Sequence, residues 1–232
     1  MRKIAIVGMH PRTQGEAWTL DQEWELWGLN SLPWPDGVPR ARWFQLHPLD
    51  GCDQHEKAWM AKLGVDHAVP TYIVPAARED WIRLNPACAP HLVDYPLKDV
   101  VGTFGRGWLS NTFCLELALA IRELVFGPEV DAPWGKRGEI AIAGVELLSP
   151  GRELVVERPA LCYWLGLAQG FGVGVATPPQ TTLLLHETYG LEYWAEAKAA
   201  AWLAEQVLPR HLLDQDNLDT LEAVEAAEAR HR

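Results

Sequence analysis

The chain lacks any run of about 18 apolar residues, the length that a membrane-spanning helix requires. Its amino-terminal MRKIAIVGMHPR breaks at Gly8 and Pro11, before the apolar centre of a secretion signal could form. A cytoplasmic protein with no membrane partner is expected. Positive charge is also short, since 20 Lys and Arg stand against 31 Asp and Glu for a formal net charge of −11. Affinity for a phosphate backbone depends on clustered cations, so no nucleic acid partner is expected either. The four cysteines, Cys52, Cys88, Cys114 and Cys162, include no C-x-x-C pair, which excludes a zinc ribbon and a thioredoxin motif and leaves buried free thiols as the expectation. Asparagine is scarce and proline numbers 17, a mix compatible with a thermophilic source.

Most glycines of a dinucleotide-binding turn are missing as well. The segment KIAIVGMHPRTQ, Lys3–Gln14, has the apolar run of a first strand, but only Gly8 and then Gly15 stand where G-x-G-x-x-G would let a backbone approach a pyrophosphate. Gly8 alone still lets a nucleotide sit against the strand, provided that its phosphate is received elsewhere.

What is present is 232 residues with 48% hydrophobic content, enough for a full core. Lys3–Gly8 reads as a strand buried on both faces, the pattern of a parallel sheet. Further strands are expected at Trp24–Asn30, Arg42–Leu46, Val69–Val74, Glu139–Val145 and 173–176. His55–Leu63 has a helical face of Trp59, Met60 and Leu63. Phe113–Phe126 is apolar almost all round and is led by Ser110, Asn111 and Thr112, three N-cap candidates, with Gly127-Pro128 as its stop. Pro159 opens another helix that ends at Gly170, and an Ala-rich helix is expected at 192–207. Residues 76–107 carry no clear period and read as an irregular loop or lid over a site. Together these elements predict one α/β, Rossmann-like domain over 1–208, an open and mostly parallel sheet with helices on both faces. An acidic tail, helical or frayed, follows at 209–232 and could support a homo-oligomer through the C-terminal helix.

Ligands of such sheets bind outside the strand carboxyl ends, at the switch point. That rule selects Met9–Gln14, Asn30, His47 and Glu146, together with the helix start at Ser110, Asn111 and Thr112, where unsatisfied N–H groups and the helix dipole favour a phosphate. His47 and His186 are candidate bases because histidine titrates near working pH, and His47 is preferred. Asn30 reads either as a ligand contact or as a strand end that bonds its own backbone. His47, Cys52 and His55 match no common zinc spacing and have no evident fourth ligand, so no metal is expected. Trp24, Trp27 and Trp43 read as packing and not as a stacking platform for bases.

The first strand with its Gly-containing turn, the Asn of WGLN, the Ser/Asn/Thr-led apolar helix and the strand ending of IAIAGVELL together resemble the sialyltransferase-like Rossmann group. That group comprises the bacterial sialyltransferases and the 6-hydroxymethylpterin pyrophosphokinase-like proteins, and the chain is also similar to uncharacterised phage proteins. The resemblance spans residues 3–176. It implies a site for a cytidine nucleotide-sugar at Gly8, Asn30, Ser110 and Asn111, with Glu146 at the position of the group's acidic residue. The first turn departs from the group's G-x-G-P-S, reading G-M-H-P-R here. The expected function is a nucleotide- or nucleotide-sugar-binding protein acting as a glycosyl or other group transferase, with His47 and Glu146 catalytic and Gly8, Asn30, Ser110, Asn111 and Thr112 holding the nucleotide. The alternative is a non-catalytic nucleotide sensor or protein-interaction module. No cofactor beyond the nucleotide substrate is expected.

Overall fold

The computed structural model describes residues 1–127, 137–148 and 152–183. The chain divides into two units, one of Met1–Glu146 with Ala160–Thr181, and the other of Leu147–Pro159 with Thr182–Arg232. The boundary expected at 208, the helix expected at 192–207, the acidic tail and His186 lie outside the described residues.

The first unit is an α/β, Rossmann-like open sheet of seven strands with helices packed around it. The strands are β1 (Lys3–Val7), β2 (Trp24–Leu29), β3 (Arg42–Gln45), β4 (Thr71–Ile73), β5 (Leu92–Asp94), β6 (Glu139–Ala143) and β7 (Gly174–Ala176). Their spatial order is β5-β4-β3-β2-β1-β6-β7, and every pairing is parallel. The chain lays strands outward from β1 to β5, then returns to place β6 on the other side of β1, so the switch point falls between β1 and β6.

The helices are α1 (Pro11–Gln14), α2 (Gln54–Lys62), α3 (Arg78–Leu84), α4 (Leu97–Phe104), α5 (Thr112–Phe126) and α6 (Arg158–Gly170). In β1, Ile4, Ala5, Ile6 and Val7 are all fully buried, as a central strand covered on both faces demands. Ten residues of α5 are buried, which accounts for its nearly unbroken apolar sequence. Among the described residues, no helix is long and apolar enough to cross a membrane.

An ion-pair lattice fixes the direction of α5. Glu123, in its last turn, accepts from Arg2 just before β1 and from Arg42 at the start of β3, each at 2.7 Å. The carboxyl end of α5 therefore lies at the amino-terminal edge of the sheet. Its beginning, around Ser110–Thr112, points to the strand carboxyl ends.

The expectation of an irregular loop at 76–107 is corrected. That stretch forms α3, a 3-10 segment at Pro86–His91, the edge strand β5 and α4. The elements are short and are punctuated by Pro86, Pro90 and Pro96, so no period builds up in sequence. They are packed structure: Trp81, Cys88 and Val100 are fully buried, and the Asn85 amide donates to the carbonyls of Met60 and Leu63 at 3.0 and 2.8 Å.

Tryptophans pack the sheet, as expected. Trp27 and Trp43 are fully buried, and Trp43 stacks on Trp59 with ring centroids 4.2 Å apart. Gly28 permits this, because a Cβ there would come within 2.6 Å of the Trp43 ring and 2.8 Å of the Trp34 ring. Cys52, Cys88 and Cys114 are buried free thiols and Cys162 is half-buried. In the second unit a π-helical turn at Glu153–Glu157 leads into α6, with Arg152 donating to Glu157 at 2.7 Å and Arg158 donating to the carbonyl of Thr182.

Candidate functional site

Because the strands are parallel, the residues that follow them share one edge. Glu146 follows β6, Gly8 follows β1, Asn30 follows β2 and His47 follows β3, and they lie in that order along the sheet. With strands about 4.8 Å apart, the positions of His47 and Glu146 are separated by three spacings, about 14 Å. The two residues expected to be catalytic therefore do not form a proton-sharing pair.

At the switch point the turns after β1 and β6 are drawn together. Gly8 N–H donates to the Ala143 carbonyl at 2.7 Å and His10 N–H to the Gly144 carbonyl at 2.8 Å. A Cβ on Gly8 would sit 2.3 Å from the Gly144 carbonyl oxygen, and Gly144 itself has φ +70°. The freedom of Gly8 thus serves a close approach of backbone to backbone. Thr13, on α1, completes the tie: its hydroxyl donates to Glu146 Oε1 at 2.9 Å and accepts from Gly144 N–H at 3.1 Å. Thr13 and Glu146 are both buried.

Asn30 has a left-handed backbone, φ 51°, one of the residue types for which this is cheap. Its N–H donates to the Phe44 carbonyl at 2.9 Å and its carbonyl accepts from the Trp43 indole at 3.0 Å. The side-chain Oδ1 is buried without a hydrogen-bond partner, so the local side-chain bond considered from the sequence is not made. His10 Nδ1, Gln14 Nε2 and Gln45 Oε1 are likewise buried and unpartnered. These atoms belong to the ends of β1, β2 and β3 and the turns that follow. An unsatisfied buried polar group costs about 1–3 kcal/mol, which water or a ligand would recover.

His47 is held by an acid that the sequence analysis passed over. Its Nδ1 and Glu56 Oε1 share a hydrogen bond at 3.0 Å, with the carboxylate buried and the imidazole half exposed. Glu56 is fixed by a capping box at the start of α2, where Asp53 N–H donates to its Oε2 and Asp53 Oδ1 accepts from its own N–H, both at 2.8 Å. The buried amide of Gln45 donates to Glu56 Oε1 at 3.4 Å and to Cys52 Sγ at 3.1 Å. The D-x-x-E spacing of Asp53 and Glu56 was the available signal, since it is a helix-start signature that orients the acid.

His47, Cys52 and Glu56 each bring a ligand atom within 4.8 Å of the others, whereas His55 is exposed on α2. Nitrogen, sulfur and oxygen donors suit zinc. Burial, then the charge of Glu56, pushes the Cys52 thiol up to about 11, and the thiol donates to the Pro48 carbonyl at 3.3 Å. A cation would have to displace that proton and break the His47–Glu56 hydrogen bond.

At the start of α5, Asn111 Oδ1 accepts from Cys114 N–H at 2.9 Å in a regular N-cap, and Thr112 is buried. Ser110 Oγ lies 3.7 Å from Cys114 Sγ. One turn further on, Glu116 is completely buried, neither carboxylate oxygen has a hydrogen-bond partner, and burial holds its carboxyl well above the usual range. A lone acid inside FCLELALAI was its signal in the sequence. Tyr95 donates to the Leu115 carbonyl at 2.7 Å, and its phenol is pushed up by burial and then by Glu116.

No family model, curated protein or solved structure matches the chain.

Proposed function

We propose that the protein binds a nucleotide or nucleotide-sugar across the carboxyl ends of β1, β2 and β3 and transfers a group from it, with His47 as general base. The observation that carries this reading is the hydrogen bond between His47 and the buried carboxylate of Glu56. With Nδ1 held against that carboxylate, Nε2 is the ring nitrogen left to meet an acceptor hydroxyl. Asn30, with its unpartnered Oδ1, orients the sugar or base. The start of α5 receives the phosphate that leaves with the nucleotide. Glu146, tied to Thr13, shapes the turn between β1 and β6.

The test is a screen of nucleotide-sugars for slow hydrolysis without acceptor, repeated on His47→Ala and Glu56→Gln. Turnover that falls by about 10²-fold or more in His47→Ala supports the transferase. Tight binding with the ligand unchanged over many hours favours a nucleotide sensor on the same site.

A further inference from the structure

A polar cleft lies at the amino-terminal edge of the sheet, opposite the strand carboxyl ends. The loops that enter β3 and β4 form an open cleft of about 260 Å³, lined by Arg40 and His67 together with Pro35, Asp36, Val38 and Val69. Arg40 is half-buried, and no carboxylate among the described residues forms an ion pair with it. Its guanidinium lies 5.7 Å from the centroid of the Trp34 ring and 6.0 Å from that of Trp43, and its Nε is buried without a hydrogen-bond partner. His67 packs on Trp59 with centroids 4.3 Å apart, and its Nε2 is buried and unpartnered too. The walls are fixed before any ligand arrives. Trp34 donates to the Val38 carbonyl at 2.9 Å, and Trp43 stacks between Trp34 and Trp59.

A half-desolvated guanidinium with an orphaned N–H is costly, and this chain carries a surplus of acids that could have answered it. None does so. Among the described residues Asp36, on the cleft rim, lends it negative charge, and it does so without an ion pair. The unpartnered Nε–H and an adjacent Nη–H form the side-on fork that fits two oxygens of a planar or tetrahedral oxyanion. The volume exceeds that of a bare ion and falls near the small end of metabolite pockets.

We propose that this cleft binds the phosphate group of a small metabolite, held by the side-on fork of Arg40 with His67 as second donor. Burial and then the charge of Arg40 push His67 down from its ordinary value, while Asp66 and a hydrogen bond to the Trp59 backbone act in the opposite sense and Lys62 adds to the lowering. An anion seated between Arg40 and His67 offsets the first two effects, so binding draws a proton onto His67 and tightens as pH falls. Sulfate, which does not titrate near neutrality, isolates that effect from the ligand's own ionisation.

Calorimetric titrations of the full chain with sodium sulfate, inorganic phosphate and glycerol phosphate at constant ionic strength test the proposal. Saturable binding is expected, with sulfate binding more tightly at pH about 5.5 than at about 7.5. Arg40→Gln should weaken it about tenfold or more, and Arg40→Lys, which keeps the charge but loses the fork, should weaken it nearly as much. Tighter binding of glycerol phosphate than of free phosphate assigns the site to an ester, and equal binding assigns it to the free ion. Absence of saturable binding by all three, or an Arg40→Lys protein that is folded by near-ultraviolet circular dichroism and binds like wild type, overturns the proposal.

Discussion

Thr13 joins the two sides of the switch point, donating to Glu146 at 2.9 Å while accepting from the N–H of Gly144 at 3.1 Å. One hydroxyl on α1 thereby satisfies a buried acid and a buried backbone donor on the turn after β6. Thr13→Val keeps the shape but strips both bonds, and a loss of about 1–3 kcal/mol is expected in urea denaturation. Thr13→Ser keeps the hydroxyl and should cost less. Equal stability of the Val variant and wild type would show that the tie contributes nothing.

Gly8 and Gly15 make opposite predictions on the same turn. A methyl group on Gly8 meets the Gly144 carbonyl oxygen at 2.3 Å, a backbone atom and not the end of a flexible side chain. Gly8→Ala should cost about 3 kcal/mol. Gly15 has φ −57°, and a methyl group there would meet nothing within 4 Å. Its conversion to Ala should gain about 0.5 kcal/mol through a less flexible unfolded chain. Thermal unfolding of the two variants reads both signs, and a stable Gly8→Ala protein would remove the close approach from the account.

Glu116 should make the folded protein sensitive to alkali. Its folded value is raised above the ordinary 4.5 by burial, so the folded state keeps a proton that the unfolded chain releases. The contribution is fully present below about pH 4.5 and is lost as pH rises toward the folded value, at up to about 1.4 kcal/mol per pH unit. Glu116→Leu should remove that slope and stabilise the protein at neutral pH and above. Denaturation at about pH 5 and pH 8 checks it, and identical slopes for wild type and variant would mean that Glu116 is ionised in the folded state.

The long uniform runs were legible in the sequence. Lys3–Gly8 and Phe113–Phe126 announce β1 and α5 because each is buried on nearly every side, and the loops that the parallel sheet collects at one edge followed from that. The stretch 76–107 was opaque because a three-residue strand between proline-broken helices leaves no period to detect. The His47–Glu56 pair was hidden for another reason. The residues are nine apart, across a 3-10 turn and a capping box, so their meeting is a product of tertiary closure and not of helical or strand spacing. The Arg40 and His67 cleft is similarly illegible, since two loop residues come together only when β3 and β4 pair.

The central claim is a nucleotide at the strand carboxyl ends with its phosphate at the start of α5. Calorimetric titration of a panel of nucleoside mono- and diphosphates, with wild type, Asn111→Asp, Asn30→Ala and Arg40→Gln, tests it most directly. Asp at 111 preserves the cap on Cys114 N–H while setting a negative charge beside the phosphate, so the folded protein should stay stable and lose about tenfold or more in nucleotide affinity. Asn30→Ala should weaken nucleoside and nucleotide alike, and Arg40→Gln, at the other edge of the sheet, should leave this binding unchanged. A panel in which no nucleotide binds, or in which the tightest binder ignores both Asn111→Asp and Asn30→Ala, would contradict the account.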